Sequence, residues 1–578
     1  MSTSNYKWTH KSQDKNTSQV LQNSLNIPNN VALLLNDRGI YDYDQARQFF
    51  RPRLEDFFDP FLMKGMSTAV DRLQLAIEKK QTIAVYGDYD VDGTCSVAMF
   101  ARFLKSFKSD VNVYQPDRHK EGYGISLKSV EWMNSKKIDL IIALDCGIRD
   151  IEAAKKLKKN KIDLIICDHH MVGDELPDAL SILNPKQSDC NYPFKELCGC
   201  GIGFKFIQAY VKKNNLRFNF DEFLQFAAIA TAADVVPLKL ENRWILKLGI
   251  KALNKSPLLC FKNMFSNAKR QKVIDSNDLV FAIAPRINAA GRLSIASKAT
   301  EMLMDDNLET LKPKIQFIEK INNERKDLDE QITKEALLKV EKEIKGKVTT
   351  VVYGEKWHKG VVGIVASRLM ESYYRPTVVL CKDGDLITGS ARSVKGFDVY
   401  EILNKMNDLF QRFGGHKYAA GLTMPKQNLS EFIIRFEKEV SKKISKEHLI
   451  PILNIDNIIS FEDLKRDKKN YSMPKLFRLI DQMAPFGPSN PTPNFEIKNL
   501  MDSGNSKIVG EKHLKLQLKH KDFNKLYDGI WFNNAKMLKE IKEAKSFNIV
   551  ASLSANTYMN VEKLQLMIKD IKVNVVND

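Results

Sequence analysis

The sequence predicts an α/β chain of several domains: a parallel-sheet domain, a second α/β domain reached through a long helix, and a C-terminal β-barrel. Three observations predict it. Short apolar runs alternate with amphipathic stretches over 61–300, a charged segment with no glycine before Gly346 follows, and after Ile450 the pattern turns to short alternating strands. At 578 residues the chain exceeds one core, and roughly three to five domains are expected.

Residues 1–60 start polar, become helical and aromatic, and end in RPRLEDFFDPFLM, which reads as a small helical lead-in. In 61–300, TIAVYG, VNVYQ, IDLIIALD and IDLIICD are continuous apolar runs, the mark of strands buried on both faces. Between them TCSVAMFARFLKSF and DIEAAKKLKKN carry helical spacing. Residues 301–345 are highly charged, with Ile315, Ile318 and Ile321 near helical spacing, and predict a connecting helix. A second α/β unit, opening on VTTVVYG, is expected over 346–445. From 446 to 578, HLKLQLKH, YDGIWFN, FNIVASLSA and KLQLMIKDIKV alternate apolar and polar positions, which suggests the barrel.

Lys plus Arg number 89 against 71 Asp plus Glu, a formal charge of +18. A field of that sign favours polyanions, nucleic acid above all, although surface Lys also serves solubility. MSTSNYKWTHKSQDK has no apolar core of a signal peptide, and no run is long enough to span a bilayer. With eight cysteines and no secretory signal, a cytoplasmic protein with reduced thiols is expected. Cys190, Cys198 and Cys200 cluster, but C-x-C with one distant partner is a poor zinc pattern, so they read as structural.

The chemistry is expected where the apolar runs end. The first opens into Asp88-Tyr89-Asp90-Val91-Asp92-Gly93, which also resembles the start of a calcium loop. Such a loop needs a bidentate Glu at its twelfth position, where this chain has Met99, and a preceding helix rather than a strand. Asp145 ends IDLIIAL, Asp168-His169-His170 end IDLIIC, and Asp234 follows FAAIATAA, taken as a further strand end. Side chains just beyond the carboxyl ends of parallel strands meet in one crevice, however far apart in sequence. Any one Asp could be a loop cap. Several carboxylates together repel one another unless cations neutralise them, and oxygen donors with imidazole suit Mn²⁺ or Mg²⁺ better than zinc. Donors enough for two ions point to in-line attack on a phosphate.

DYDVDG, LDCGI, DHH and AADVVPL, in this order, resemble the four motifs of the DHH phosphoesterases. PDRHKEGYG at 116–124 is similar to a further motif of the RecJ branch, as are APRINAAGR, WHKGVVGIVASRL, GSARS and RFGGHKYAAG. APFGPSNPTPNF and VGEKHLKLQLK resemble the start of that branch's oligonucleotide-binding barrel. The resemblance implies a DHH catalytic domain, a DHHA1 domain and an OB-fold, and a single-stranded-DNA-specific 5′-to-3′ exonuclease of recombination and repair. It implies metal ligation by Asp90, Asp92, Asp145, His169 and Asp234, with Asp145 bridging two Mn²⁺ or Mg²⁺ ions. Asp88 is then a ligand or a supporting carboxylate, His170 faces the scissile phosphate, and Arg118 contacts a DNA phosphate. A pocket for the 5′ end is implied at Arg286, Asn288, Arg292, Ser390, Arg392 and His416, although Arg286 and Arg292 could instead tie helix to domain through salt bridges. Ala391 stands where the family usually has Gly, and a loop altered by the loss of φ > 0 is expected there. A monomer is implied, with a helicase and a single-strand-binding protein as candidate partners.

Two other functions would fit parts of the chain. A small-substrate phosphodiesterase or pyrophosphatase would use the same ions but would not need the mass after residue 445 or the +18 charge. A non-catalytic scaffold would be expected to have lost ligands, and here every ligand position is filled.

Overall fold

The computed structural model describes residues 6–12, 15–118, 120–269, 273–343, 346–467, 472–558 and 561–574. His119, inside the PDRHKEGYG motif, lies outside them. The chain forms two compact units: 44–325 with 483–491, and 1–43 with 326–482 and 492–578.

The first unit is built on a wholly parallel sheet in the order Val111–Tyr114, Ile83–Gly87, Leu140–Leu144, Asp163–Cys167, Ser181–Leu183. Its strands are apolar throughout because both faces are covered. Ile83, Val85, Leu140 and Ile142 join one core, and Ala84, Tyr86, Ile141 and Ala143 the other. In this order the chain leaves the Ile83 strand for one edge and returns to the Leu140 strand on its other side. Ligand crevices form at such switch points, beyond the carboxyl ends of the strands.

One element differs from its sequence reading. FAAIATAA belongs to an α-helix, Asp221–Ala233, and Asp234 caps its C-terminus rather than ending a strand. Phe223–Thr231 of this helix are all buried, so no polar face marks the period. A run apolar all round is compatible with either a buried strand or a buried helix, and here the alanines favour helix.

In the second unit, a mixed sheet runs Arg412–His416, Ala419–Pro425, Leu386–Arg392, Thr377–Asp383, Thr350–Gly354, with only the last pair parallel. The GSAR segment is therefore strand, not loop. Ala391 is fully buried and extended between Val378 and Ala420, and the methyl group meets no demand for positive φ. Further along, Phe495–Asp502, Phe547–Tyr558, Val561–Val573, Phe523–Trp531 and His513–His520 pair in sequence. His513–His520 pairs back onto Phe495–Asp502, closing the ring of a barrel. The lead-in is not helical throughout: Lys7–His10 is a strand parallel to Ile452–Ile455.

Leu308–Glu343 is one 36-residue helix that carries the chain from the first unit into the second. Ile315, Ile318 and Ile321 are all buried along it. The APFGPSNP segment precedes the barrel strand Phe495–Asp502 in sequence but does not group with it. Residues 483–491 group with the first unit, although they lie in sequence between Asn457–Ile458 and Phe495–Asp502, which pair in the barrel's sheet.

Candidate metal centre

Four chain segments bring acidic and imidazole groups together beyond the sheet. Asp88 and Asp90 leave the Ile83 strand, Asp145 the adjacent Leu140 strand, and Asp168, His169 and His170 the Asp163 strand next to that. Asp234 enters from the helix terminus. Donor atoms of Asp88, Asp90 and Asp145 lie within 4.8 Å of one another, as do those of Asp92, His169 and Asp234, and those of Asp145, His169 and His170. His169 Nε2 is 3.2 Å from Asp145 Oδ1, 3.7 Å from Asp234 Oδ2 and 4.0 Å from Asp92 Oδ2. Asp145 and His169 each belong to two of the three groups.

Close backbone packing sets this geometry. Asp90 caps the helix Val91–Lys105, its Oδ1 accepting from Gly93 N at 3.0 Å. A Cβ on Gly93 would lie 2.4 Å from Asp88 O, so only glycine lets the helix start there. The start of the helix Gly199–Lys213 is equally tight, since a Cβ on Gly199 would meet Asp145 Cβ at 2.6 Å. From that helix start, Gly199 N and Cys200 N donate to Asp92 at 2.6 and 2.8 Å, an anion site made of free helix N–H groups. Cys198 Sγ caps the same helix, and all eight cysteines are free and buried, which agrees with a structural role for 190, 198 and 200.

The carboxylates fit cations and little else. Among the described residues, Asp88 Oδ1, Asp145 Oδ1 and Asp234 Oδ2 are buried and have no hydrogen-bond partner. Burial, then the neighbouring acids, pushes Asp145 and Asp88 well above the usual carboxylate range. The same causes push Asp92 up to about 7 and Asp234 up to about 9. Burial, then His170, drives His169 down to about 3, so its ring is neutral and ready to ligate. Without cations, these acids contribute stability below about pH 4 that is lost as pH rises through the raised values. With cations, protons compete for the same oxygens. Mn²⁺ affinity is therefore expected to rise between pH 6 and pH 9, with proton release on binding. Calorimetry in buffers of different ionisation enthalpy measures both, and a pH-independent affinity would contradict the protonated cluster.

Two residues that the sequence reading did not assign hold His170. Asp168 Oδ1 accepts from His170 Nδ1 at 2.7 Å and from His170 N at 3.1 Å, and Asp168 Oδ2 accepts from Ile148 N at 3.0 Å. Tyr123 Oη lies 2.9 Å from the same Nδ1 and donates to Asp145 O at 3.1 Å. Burial lowers the His170 pKa, but Asp168 outweighs it and the net shift is upward. Asp168 was within sight as the first letter of DHH. Tyr123 carried no signal beyond its place in PDRHKEGYG.

Of the remaining predicted positions, Arg118 is exposed with its guanidinium 5.0 Å from the centre of the Tyr89 ring. Asn288 and Arg292 lie on the helix Ala284–Leu293, which touches the aspartate loop: a Cβ on Gly291 would meet Tyr89 O at 2.3 Å. Arg286, on the same helix, is buried against Glu319 (2.6 Å) and Ala282 O (2.5 Å), the helix tie that its sequence left open. In the other unit, Arg392 donates to Ser390 Oγ at 2.7 Å and Ser367 Oγ at 3.1 Å. His416, exposed, pairs with Ala419, which pairs with Arg392.

Comparison with known proteins gives this centre its family. Residues 82–231 match the DHH family N-terminal domain, 345–442 the DHHA1 domain and 463–570 the RecJ OB domain. The chain is 35% identical to the single-stranded-DNA-specific exonuclease RecJ of Bacillus subtilis, over 99% of this chain and 72% of that one. The chain belongs to the RecJ family. RecJ of Escherichia coli is 31% identical over 88% of this chain and 90% of its own. RecJ of Thermus thermophilus in complex with Mn²⁺ shares the fold, with a TM-score of 0.84, 24% identity, and cover of 99% of this chain and 80% of that one. A manganese-bound exonuclease RecJ is 30% identical, with a TM-score of 0.59, over 67% of this chain and 96% of its own. No helix among the described residues is long and apolar enough to cross a membrane.

Proposed function

We propose that this chain is a single-stranded-DNA-specific exonuclease that hydrolyses phosphodiester bonds with two divalent cations, Mn²⁺ or Mg²⁺, starting from the 5′ end. The observation that carries the reading is the overlap of three donor groups around partnerless, buried carboxylate oxygens, in a chain 35% identical to a RecJ exonuclease. Asp88, Asp90 and Asp145 would hold one cation and Asp92, His169 and Asp234 the other, with Asp145 close enough to His169 to serve both. Bound there, the cations supply Lewis acidity and activate water at a phosphodiester.

The chain's own groups do the rest. Helix N–H groups fix the Asp92 carboxylate. Asp168 and Tyr123 fix the Nδ1 side of His170, and Asp168 favours the protonated ring, whose Nε2–H would donate to a phosphate oxygen as charge builds there. Arg118 would take a DNA phosphate near the cut. Asn288 and Arg292 in one unit, and Ser390, Arg392 and His416 in the other, are candidate phosphate contacts, with Arg286 supporting the first group through Glu319. Residues 61–300 carry the chemistry in this reading, 301–345 link, and 346–445 and 446–578 handle the strand after a lead-in of 1–60. The barrel is the expected platform for unpaired bases. A cytoplasmic monomer working with a helicase and a single-strand-binding protein completes the proposal.

The test is digestion of end-labelled oligonucleotides. Single strands labelled at the 5′ end are expected to release label first with Mn²⁺ or Mg²⁺, and duplex is expected to survive. Undiminished cleavage in excess chelator would overturn the two-cation reading. Earlier release from a 3′ label would overturn the polarity.

A further inference from the structure

Asp234 is held differently from the other acids of the cluster. Asp92 is gripped by two N–H groups and Asp168 by three N–H donors. Among the described residues the Asp234 carboxylate has no hydrogen-bond partner at Oδ2, and the neutral His169 ring lies 3.7 Å from it. Its position must come from its backbone. That backbone is strained, since Val235 has φ of 60°, a region that β-branched residues avoid, while the residue itself is 69% exposed. Such a conformation persists only where the surroundings over-determine it.

They do so from both sides. Asp234 N donates to Ala230 O at 2.9 Å, closing the helix. Downstream, Asn242 Nδ2 donates to Pro237 O at 3.1 Å, and Leu238 N donates to Pro488 O at 2.8 Å. Pro488 lies in the segment 483–491, which joins this unit although the elements flanking it, Lys475–Gln482 and Phe495–Asp502, belong to the other. The segment has a fixed shape. Asn490, 1% exposed, donates from Nδ2 to Met483 O (3.0 Å) and Pro485 O (2.7 Å), and Gly487 and Asn490 exchange backbone hydrogen bonds. Buried Arg243 donates to Ala484 O and Pro485 O, both at 3.1 Å, and to Phe49 O at 3.0 Å. A Cβ on Gly487 would lie 2.7 Å from Leu238 Cδ1 and 3.4 Å from its Cγ, so a side chain there would displace the buried Leu238 side chain, four residues past Asp234.

We propose that Met483–Pro491 is a positioning strap for Asp234, and that it sets the affinity of the cation site shared by Asp92, His169 and Asp234. The proposal rests on the two-cation reading above. Gly487 and Asn490 act through the backbone of Asp234 and touch no reacting group. The strap explains why a stretch so far along the chain is built into the catalytic unit.

The test is Mn²⁺ binding to the metal-free, full-length protein, by calorimetry, for the parent, Asp234→Asn, Gly487→Val and Asn490→Ala. Asp234→Asn is expected to weaken one of two Mn²⁺ sites. Gly487→Val and Asn490→Ala are expected to weaken the same site by about 10- to 100-fold, as loss of supporting contacts does, and to leave the other unchanged. Gly487→Ala, with a smaller push, should give a smaller loss and serves if the valine variant does not fold. Equal weakening of both sites would mean general loosening and would overturn the strap. Unchanged binding in the glycine and asparagine variants, with one site lost in Asp234→Asn, would overturn it too. Two intact sites in Asp234→Asn would bring down the ligand assignment, and the strap with it.

Discussion

Asp145→Ala is expected to abolish cleavage while leaving single-stranded DNA binding within a few-fold of the parent. Asp145 contributes to two donor groups, and its buried Oδ1, 3.2 Å from His169, has no hydrogen-bond partner among the described residues. Loss of this carboxylate removes negative charge from the place where two cations would have to share it. A loss of at least about 10³-fold in kcat corresponds to roughly 4 kcal/mol, within what cation charge stabilisation supplies. The barrel and the mixed sheet lie in the other unit and do not depend on this side chain. Asp145 also takes φ of 62° in a tight turn, a conformation that Ala adopts less readily than Asn or Asp. Asp145→Asn, which keeps that preference, is therefore the better control for folding. Turnover near the parent's in either variant would sink the ligand assignment, and loss of DNA binding alongside would show that the substitution had done more than empty a site.

Most of the centre was legible because buried parallel strands leave a plain trace: an apolar run, then an acid where the run stops. Asp88, Asp145 and Asp168 stand at such stops, and the switch in strand order between the Ile83 and Leu140 strands turns sequence position into a shared crevice. Asp234 was found for an incomplete reason. It follows an apolar run like the others, but that run is a helix buried all round. Tyr123 and the N–H groups of Gly199 and Cys200 could not be read, because their contacts depend on how loops and a helix end pack rather than on any local pattern. In the same way APFGPSNP reads locally as the approach to the barrel, whereas its partners, Arg243 and Leu238, lie some 240 residues earlier. Ala391 shows the opposite limit: concern over φ in a loop dissolves once the residue is a buried strand position.

The largest stability effect is expected from Lys205→Met. Lys205 and Glu241 are both fully buried and 3.0 Å apart. Each is saturated. Lys205 Nζ also donates to Phe58 O at 2.7 Å, while Glu241 accepts from Tyr192 Oη at 2.6 Å and Phe58 N at 3.2 Å. The network ties 57–58 to the two helices beneath, with the ammonium 5.2 Å from the centre of the Phe57 ring. Burial pulls the Lys205 pKa down, and Glu241 partly restores it. Methionine fills much of the same volume but leaves Glu241 as a buried charge without its cation, which costs roughly 3–5 kcal/mol. An exposed pair such as Lys155–Glu152 is worth about 0–1 kcal/mol by comparison. The melting transition of the first unit should fall by roughly 10 °C. Lys205→Met with Glu241→Gln should recover part of this, because the uncompensated charge is gone although one amide N–H then faces donors. A single variant that melts with the parent would mean that water reaches Glu241, and that apolar packing rather than this pair fastens Phe57 and Phe58 to the catalytic unit.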